Sequence, residues 1–126
     1  MTLVHATTVE IAGRGVLIRG PSGSGKSDLA LRLIAAGARL VAADQPEVER
    51  RGDRLVAMAP AAIAGRIEVR GLGIVPLQAV AQTTLALVVD LVPAAKVERM
   101  PEARTVEILG ISLPVLQLDP LESSAP

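Results

Sequence analysis

A chain of 126 residues has room for one ordinary domain, since domains usually run about 100–150 residues, and a second catalytic domain is excluded. Thirteen Lys+Arg balance thirteen Asp+Glu, so the broad basic field that holds a nucleic-acid backbone is missing. Phe, Tyr, Trp and Cys are all absent although half the residues are apolar; this excludes aromatic platforms for stacking bases, disulfides, thiolate metal sites and cysteine nucleophiles, and leaves a core of Val, Leu, Ile and Ala that gains from further burial at a subunit interface. A homo-oligomer is expected.

The first residues, Met1-Thr2-Leu3-Val4-His5, lack the basic start and long apolar run of a signal peptide. Val4 to Ile11 reads as a strand, turned by Ala12-Gly13-Arg14-Gly15 into a second apolar run, Val16-Leu17-Ile18, so an opening hairpin is predicted. A glycine-rich loop follows, and then Leu29, Leu31, Leu33 and Ile34, with Ala30, Ala35 and Ala36, predict a helix that Gly37 can end. Arg39 to Ala43 reads as a third strand with the polar exit Asp44-Gln45-Pro46. Charged and apolar residues alternate from Val48 to Met58 around Arg51-Gly52-Asp53, the pattern of a hairpin with one wet face. Ala61 to Gly65 suggests a helical turn, Arg66 to Val69 an extended piece, and Arg70 to Gly73 a loop before Ile74-Val75.

Thr83 to Val92 is the strongest buried strand of the second half. Mean hydropathy is positive at +0.46, yet the apolar stretch Ile74 to Ala95 is interrupted by Pro76, Gln78, Gln82, Asp90 and Pro93 and falls short of the ~20 clean residues of a membrane helix. A cytoplasmic protein is therefore expected. After a linker from Pro93 to Arg104, Thr105 to Leu109 and Leu113 to Leu118 predict a closing hairpin across Gly110. Residues 1–118 are thus expected to form one domain, and 119–126 a frayed polar tail.

Gly20-Pro21-Ser22-Gly23-Ser24-Gly25-Lys26-Ser27 fits G-x-x-x-x-G-K-[ST] and lies between a predicted strand and a predicted helix, where a phosphate-binding loop belongs. Glycines let the backbone curl so that successive N–H groups face phosphate oxygens, and the helix start adds its positive dipole end. Lys26 supplies a cation for the β- and γ-phosphates, and the Ser27 hydroxyl suits Mg²⁺. ATP or ADP with Mg²⁺ is the expected cofactor set. A nucleotide kinase with lid arginines or a GTPase with switch motifs would need sequence that this chain lacks.

Together with this loop, His5, Leu40-Val41-Ala42-Ala43-Asp44, Ala59-Pro60 and Glu68-Val69-Arg70-Gly71-Leu72-Gly73-Ile74 resemble the catalytic domain of HPr kinase/phosphorylase. The resemblance covers roughly residues 4 to 76, and Glu-x-Arg-Gly-x-Gly-Ile is its most specific part. It is similar to the short, alphaproteobacterial form that lacks an N-terminal domain. The resemblance implies an α/β P-loop domain of the phosphoenolpyruvate carboxykinase-like type, with a mixed sheet and a helix after the phosphate loop, assembled as hexamers. It also implies phosphorylation of a serine on the phosphocarrier protein HPr from ATP or pyrophosphate, reversed by phosphorolysis with phosphate as the attacking group. Of the matching positions, Lys26, His5 and Asp44 become candidate catalytic residues, and Ser27, Asp44 and Glu68 candidate metal ligands. Arg70 and Asp90 read better as structural residues.

One position departs from the pattern. The family has two adjacent aspartates where this chain has Ala43-Asp44, and the resemblance assigns proton acceptance to the first. Losing a general base typically costs about 10²–10⁴-fold in rate, so slow transfer with intact nucleotide binding is expected. Three explanations stand side by side: a change introduced to trap a complex, a natural change in a non-catalytic nucleotide sensor, or transfer of the base role to Asp44. Regular strand alternation, which sends neighbours to opposite faces, argues against the last. A small-metabolite kinase in the same fold is a further alternative. The family's basic Pro-Gly-Arg loop and closing helix have no counterpart after Leu118, from which weakened affinity for HPr is expected.

Overall fold

The structure is a computed structural model that describes residues 2–4, 6–21, 25–42, 46–59, 66–69, 73–76, 79–92 and 104–118. Eleven strands and one helix follow one another as β1 (Thr2–Leu3), β2 (Ala6–Ile11), β3 (Arg14–Arg19), α1 (Lys26–Ala35), β4 (Arg39–Ala42), β5 (Glu47–Arg51), β6 (Arg54–Met58), β7 (Arg66–Val69), β8 (Gly73–Pro76), β9 (Gln82–Leu91), β10 (Arg104–Ile108) and β11 (Ile111–Leu118). Nine of the strands form one mixed sheet, with β1-β5-β6-β9-β3-β2-β4 as its path and β11 joining β9 to β10, while β7 and β8 pair separately. The expected α/β class with a mixed sheet and a helix after the loop is what the chain adopts. The predicted helical turn at 61–65 and tail at 119–126 lie outside the described residues.

Local chemistry explains the turns. Ala12 and Gly13 (φ 50° and 80°) join β2 to β3, and Leu109 and Gly110 (φ 50° and 84°) join β10 to β11; positive φ at both central residues matches the right-handed twist of the flanking strands. Gly37 (φ 115°) closes α1: its N–H donates to Ile34 and that of Ala38 to Leu33, each at 3.0 Å, the paired bonds of a Schellman ending. Pro114 stands inside β11 without breaking a ladder, because β11 pairs with β9 only from Val115 onward.

Several pairings differ from the sequence reading. The run expected as one strand from Val4 is split: β1 pairs with β5, and β2 begins at Ala6. β11 closes a hairpin with β10, as expected, but also runs parallel to β9.

Alternation sorts the core onto two faces. Val9, Val16, Ile18, Leu40, Val89 and Leu91 meet Leu29 and Ala30 of α1. Opposite them, Leu17, Leu85 and Val88 meet Val48, Leu55, Ala57 and Leu113, so the β5–β6 and β10–β11 hairpins cover the face that the helix leaves open. Arg50 ties those hairpins together, with Nε donating to the Gly52 carbonyl at 2.8 Å and Nη1 to the Leu109 carbonyl at 3.0 Å.

The central parallel pair β3–β9 slips register between Gly15 and Val16, which face Leu85 and Leu87. A Cβ on Gly15 would lie 2.6 Å from Thr83 Cγ2 and 2.8 Å from the Thr84 carbonyl oxygen. The empty space is used: Thr83 Oγ1 reaches across to donate to Glu10 Oε2 at 2.7 Å, and Glu10 is the β2 partner of Gly15. Gly15→Ala must push backbone apart, and we expect it to lower unfolding stability by about 1–3 kcal/mol. A urea titration checks this, with an unchanged midpoint contradicting the close approach.

Candidate functional site

β3 delivers the phosphate loop. Its apolar residues Val16, Leu17 and Ile18 are buried, which fixes the strand, and after Arg19 the chain leaves the sheet at Gly20 and Pro21 and re-enters regular structure at Gly25. Gly25, with φ 100°, is the N-cap of α1, and its carbonyl accepts the first helical bond from Leu29 N–H at 2.9 Å. A left-handed N-cap favours glycine, and glycine brings no side chain to cap the first turn. The N–H groups of Lys26, Ser27 and Asp28 therefore start a helix whose donors have no capping oxygen from Gly25, the arrangement that attracts an anion.

Lys26 closes the loop from above. Its Nζ donates to the Gly20 carbonyl at 2.7 Å and to the Pro21 carbonyl at 3.2 Å, so the cation is held over the point where the loop leaves β3. A third Nζ proton remains for an incoming oxygen. Ser27, half-buried in the first helical turn, carries a hard hydroxyl oxygen.

Among the sequence-predicted residues, Gly20, Pro21, Gly25, Lys26 and Ser27 are thus brought together. His5, Ser22, Gly23, Ser24, Ala43, Asp44 and Arg70 lie outside the described residues. Glu68 is placed through its backbone alone, in β7 opposite Ile74 of β8, and β7 lies close to α1. No group of three or more potential metal-ligating side chains occurs among the described residues. No described helix is long and apolar enough to cross a membrane.

Comparison with known proteins decides the family. The model of the HPr serine kinase C-terminal domain matches residues 1–124. The chain belongs to that family. An HPr kinase/phosphorylase of Geobacillus kaustophilus is 40% identical over 129 aligned residues, covering 93% of this chain and 42% of the relative. One from Exiguobacterium is 50% identical over 76 residues, covering 60% of this chain and 24% of the relative. This chain therefore spans less than half the length of these curated relatives. The solved HPr(Ser) kinase/phosphatase of Coxiella burnetii superposes with a TM-score of 0.88 at 29% identity, covering 98% of this chain and 82% of that one. The sequence resemblance, built on residues 4 to 76, extends in this way over nearly the whole chain.

One feature of the site escaped the sequence reading. Arg19, immediately before the loop, and Asp90 near the end of β9 form a bidentate ion pair, Nε to Oδ1 at 2.7 Å and Nη2 to Oδ2 at 2.8 Å. Each is a charge closing an apolar run, a local signal, but their partnership depends on β3 and β9 being neighbours.

Lys26→Met removes a charge-assisted bond to phosphate of the kind that contributes about 1.5–3 kcal/mol, and we expect pyrophosphate affinity to fall about 10–100-fold. The carbonyls that it releases are open to water, so the urea midpoint should stay close to wild type. Calorimetric titration beside urea unfolding separates the two effects, and undiminished pyrophosphate binding would remove Lys26 from the site.

Proposed function

We propose that this chain transfers a phosphoryl group from ATP or pyrophosphate to a serine hydroxyl of an HPr-type phosphocarrier protein and reverses the step with inorganic phosphate. The observation that carries this reading is the Lys26 ammonium held over a strand–loop–helix phosphate site, in a chain of the HPr serine kinase family.

In the forward direction the serine oxygen bonds to the γ-phosphorus, the bridging oxygen leaves with ADP, and the hydroxyl proton passes to a carboxylate. In reverse, a phosphate oxygen bonds to the phosphorus of phosphoserine, pyrophosphate forms, and the serine oxygen regains a proton. Loop N–H groups from Gly20 to Ser27 and the Lys26 Nζ are assigned to phosphate binding. His5 is assigned to orienting a carboxylate or meeting phosphate. Ser27, Asp44 and Glu68 offer one hydroxyl and two carboxylates, an all-oxygen set that fits Mg²⁺, which when bound neutralises phosphate charge. With no aromatic residue in the chain, no ring can stack the base, so recognition rests on the phosphates and pyrophosphate becomes a reasonable donor. A cytoplasmic hexamer is the assembly we propose from the aliphatic core and the family resemblance.

Ala43 favours a second reading, a nucleotide-sensing module without transfer. Alanine takes up no proton, while the absence of a carboxylate near anionic phosphates reduces repulsion of the nucleotide. Transfer of labelled phosphate from ATP to purified HPr with Mg²⁺ distinguishes the two. We expect Ala43→Asp to raise this transfer at least about 100-fold with little change in ADP affinity. Equal rates for the two proteins would sink the assignment of Ala43 to the base position, and absence of transfer by both, with tight nucleotide binding, would favour the sensor.

A further inference from the structure

Arg19 and Asp90 are Cα partners in the parallel β3–β9 pair, and their two-pronged contact lies on the sheet face shared with Leu17 and Val88, opposite the face that receives α1. Their side chains are 32% and 29% exposed. At that exposure an ion pair adds little to stability, but a forked guanidinium–carboxylate contact fixes direction closely because both groups are planar and both bonds must align.

The two ends of the pair are anchored unequally. Asp90 lies inside the sheet: its strand pairs with β3 and β11, with Gln117 as its β11 partner, and the ladder runs on past it through Val92 N–H to the Leu118 carbonyl at 2.9 Å. Arg19 is the last residue of β3, and the next residue, Gly20, supplies the carbonyl that holds Lys26 Nζ. Rigid Asp90 thus grips the end of a strand that would otherwise fray, one residue before the phosphate loop.

We propose that Arg19 and Asp90 are positioning residues of the phosphate loop: their bidentate contact sets the direction in which the chain leaves β3 and keeps the Gly20 carbonyl beneath Lys26. Only the identity of the ligand rests on the function proposed above; the clamp itself is a statement about the loop. Neither residue needs to touch the phosphate. A direct role for Arg19 makes a different prediction, because freeing it from Asp90 would then leave phosphate binding intact or tighter.

The test uses the full chain with Arg19→Gln, Asp90→Asn, the double variant, and the exchange Arg19→Asp with Asp90→Arg. Amide hydrogen exchange of residues 20–27 is followed without ligand, pyrophosphate affinity is measured by calorimetry with Mg²⁺, and urea unfolding reports global stability. Each single variant should speed exchange in the loop and weaken pyrophosphate about tenfold, the double should be no worse than either single, and the exchange should recover most of the loss, as expected of a coupled pair. Unchanged loop exchange in both single variants overturns the proposal. So does weakened pyrophosphate binding in Arg19→Gln alone, which would make Arg19 a direct ligand, or a loss in every variant that merely follows a lowered urea midpoint. If wild type fails to bind pyrophosphate while the loop still loosens in both single variants, the clamp stands and the functional reading falls.

Discussion

Parallel neighbours cannot be joined by a tight turn, and in this chain the connection from β3 to β9 holds the phosphate loop, α1 and every strand from β4 to β8. The loop is therefore the first step of a crossover, at the end of β3 where the chain must leave the sheet. Pairing of β3 with β9 fixes where that exit lies. Its two ends are secured by different chemistry: at Gly15 the strands approach so closely that Thr83 occupies the place of a side chain, and at Arg19 a forked ion pair holds the last residue before the loop.

The helix depends on the same pairing. Leu29 and Ala30 of α1 pack on Val16 and Ile18 of β3 and on Val89 and Leu91 of β9, so the surface that receives the helix exists only once the two strands are side by side. Docking α1 there points its N-terminus back towards the end of β3 and places Lys26 within reach of Gly20. Local motif and long-range pairing thus act in series: the glycines permit the curl, and the sheet decides where the curl is held. Without aromatic residues the core fills by many small contacts among Val, Leu, Ile and Ala, which leaves such close-packed strands little tolerance for added volume.

Features governed by neighbours in sequence were legible in advance. The phosphate loop, the hairpins across Ala12-Gly13, Gly52-Asp53 and Leu109-Gly110, and the helix ending at Gly37 each follow from the conformational preferences of a few adjacent residues. Partners were not legible. Period-two alternation says which residues share a face but not which strand lies alongside, so the parallel contacts of β9 with β3 and β11, and the attachment of β1 to β5, had no local signature. The Arg19–Asp90 pair stayed hidden for the same reason, its members being 71 residues apart. Likewise His5, Ala43, Asp44 and Glu68 were linked to the loop by resemblance, since no spacing rule joins positions on separate elements.

β4 qualifies the reasoning about Ala43 and Asp44. Thr8 pairs with Ala42 but Val9 with Leu40, so Val41 is an extra residue in the ladder and β4 is not a regular strand. Extrapolating simple alternation beyond Ala42 therefore loses its force as a reason to deny Asp44 a role as base. What remains firm is a division of labour. Phosphate binding draws on residues 20–27, one continuous segment whose backbone and lysine are set by β3 and α1, whereas the proposed proton transfer draws on carboxylates from other elements. A change at Ala43 acts on the second set and leaves the first untouched, which is why binding and transfer can separate in this chain.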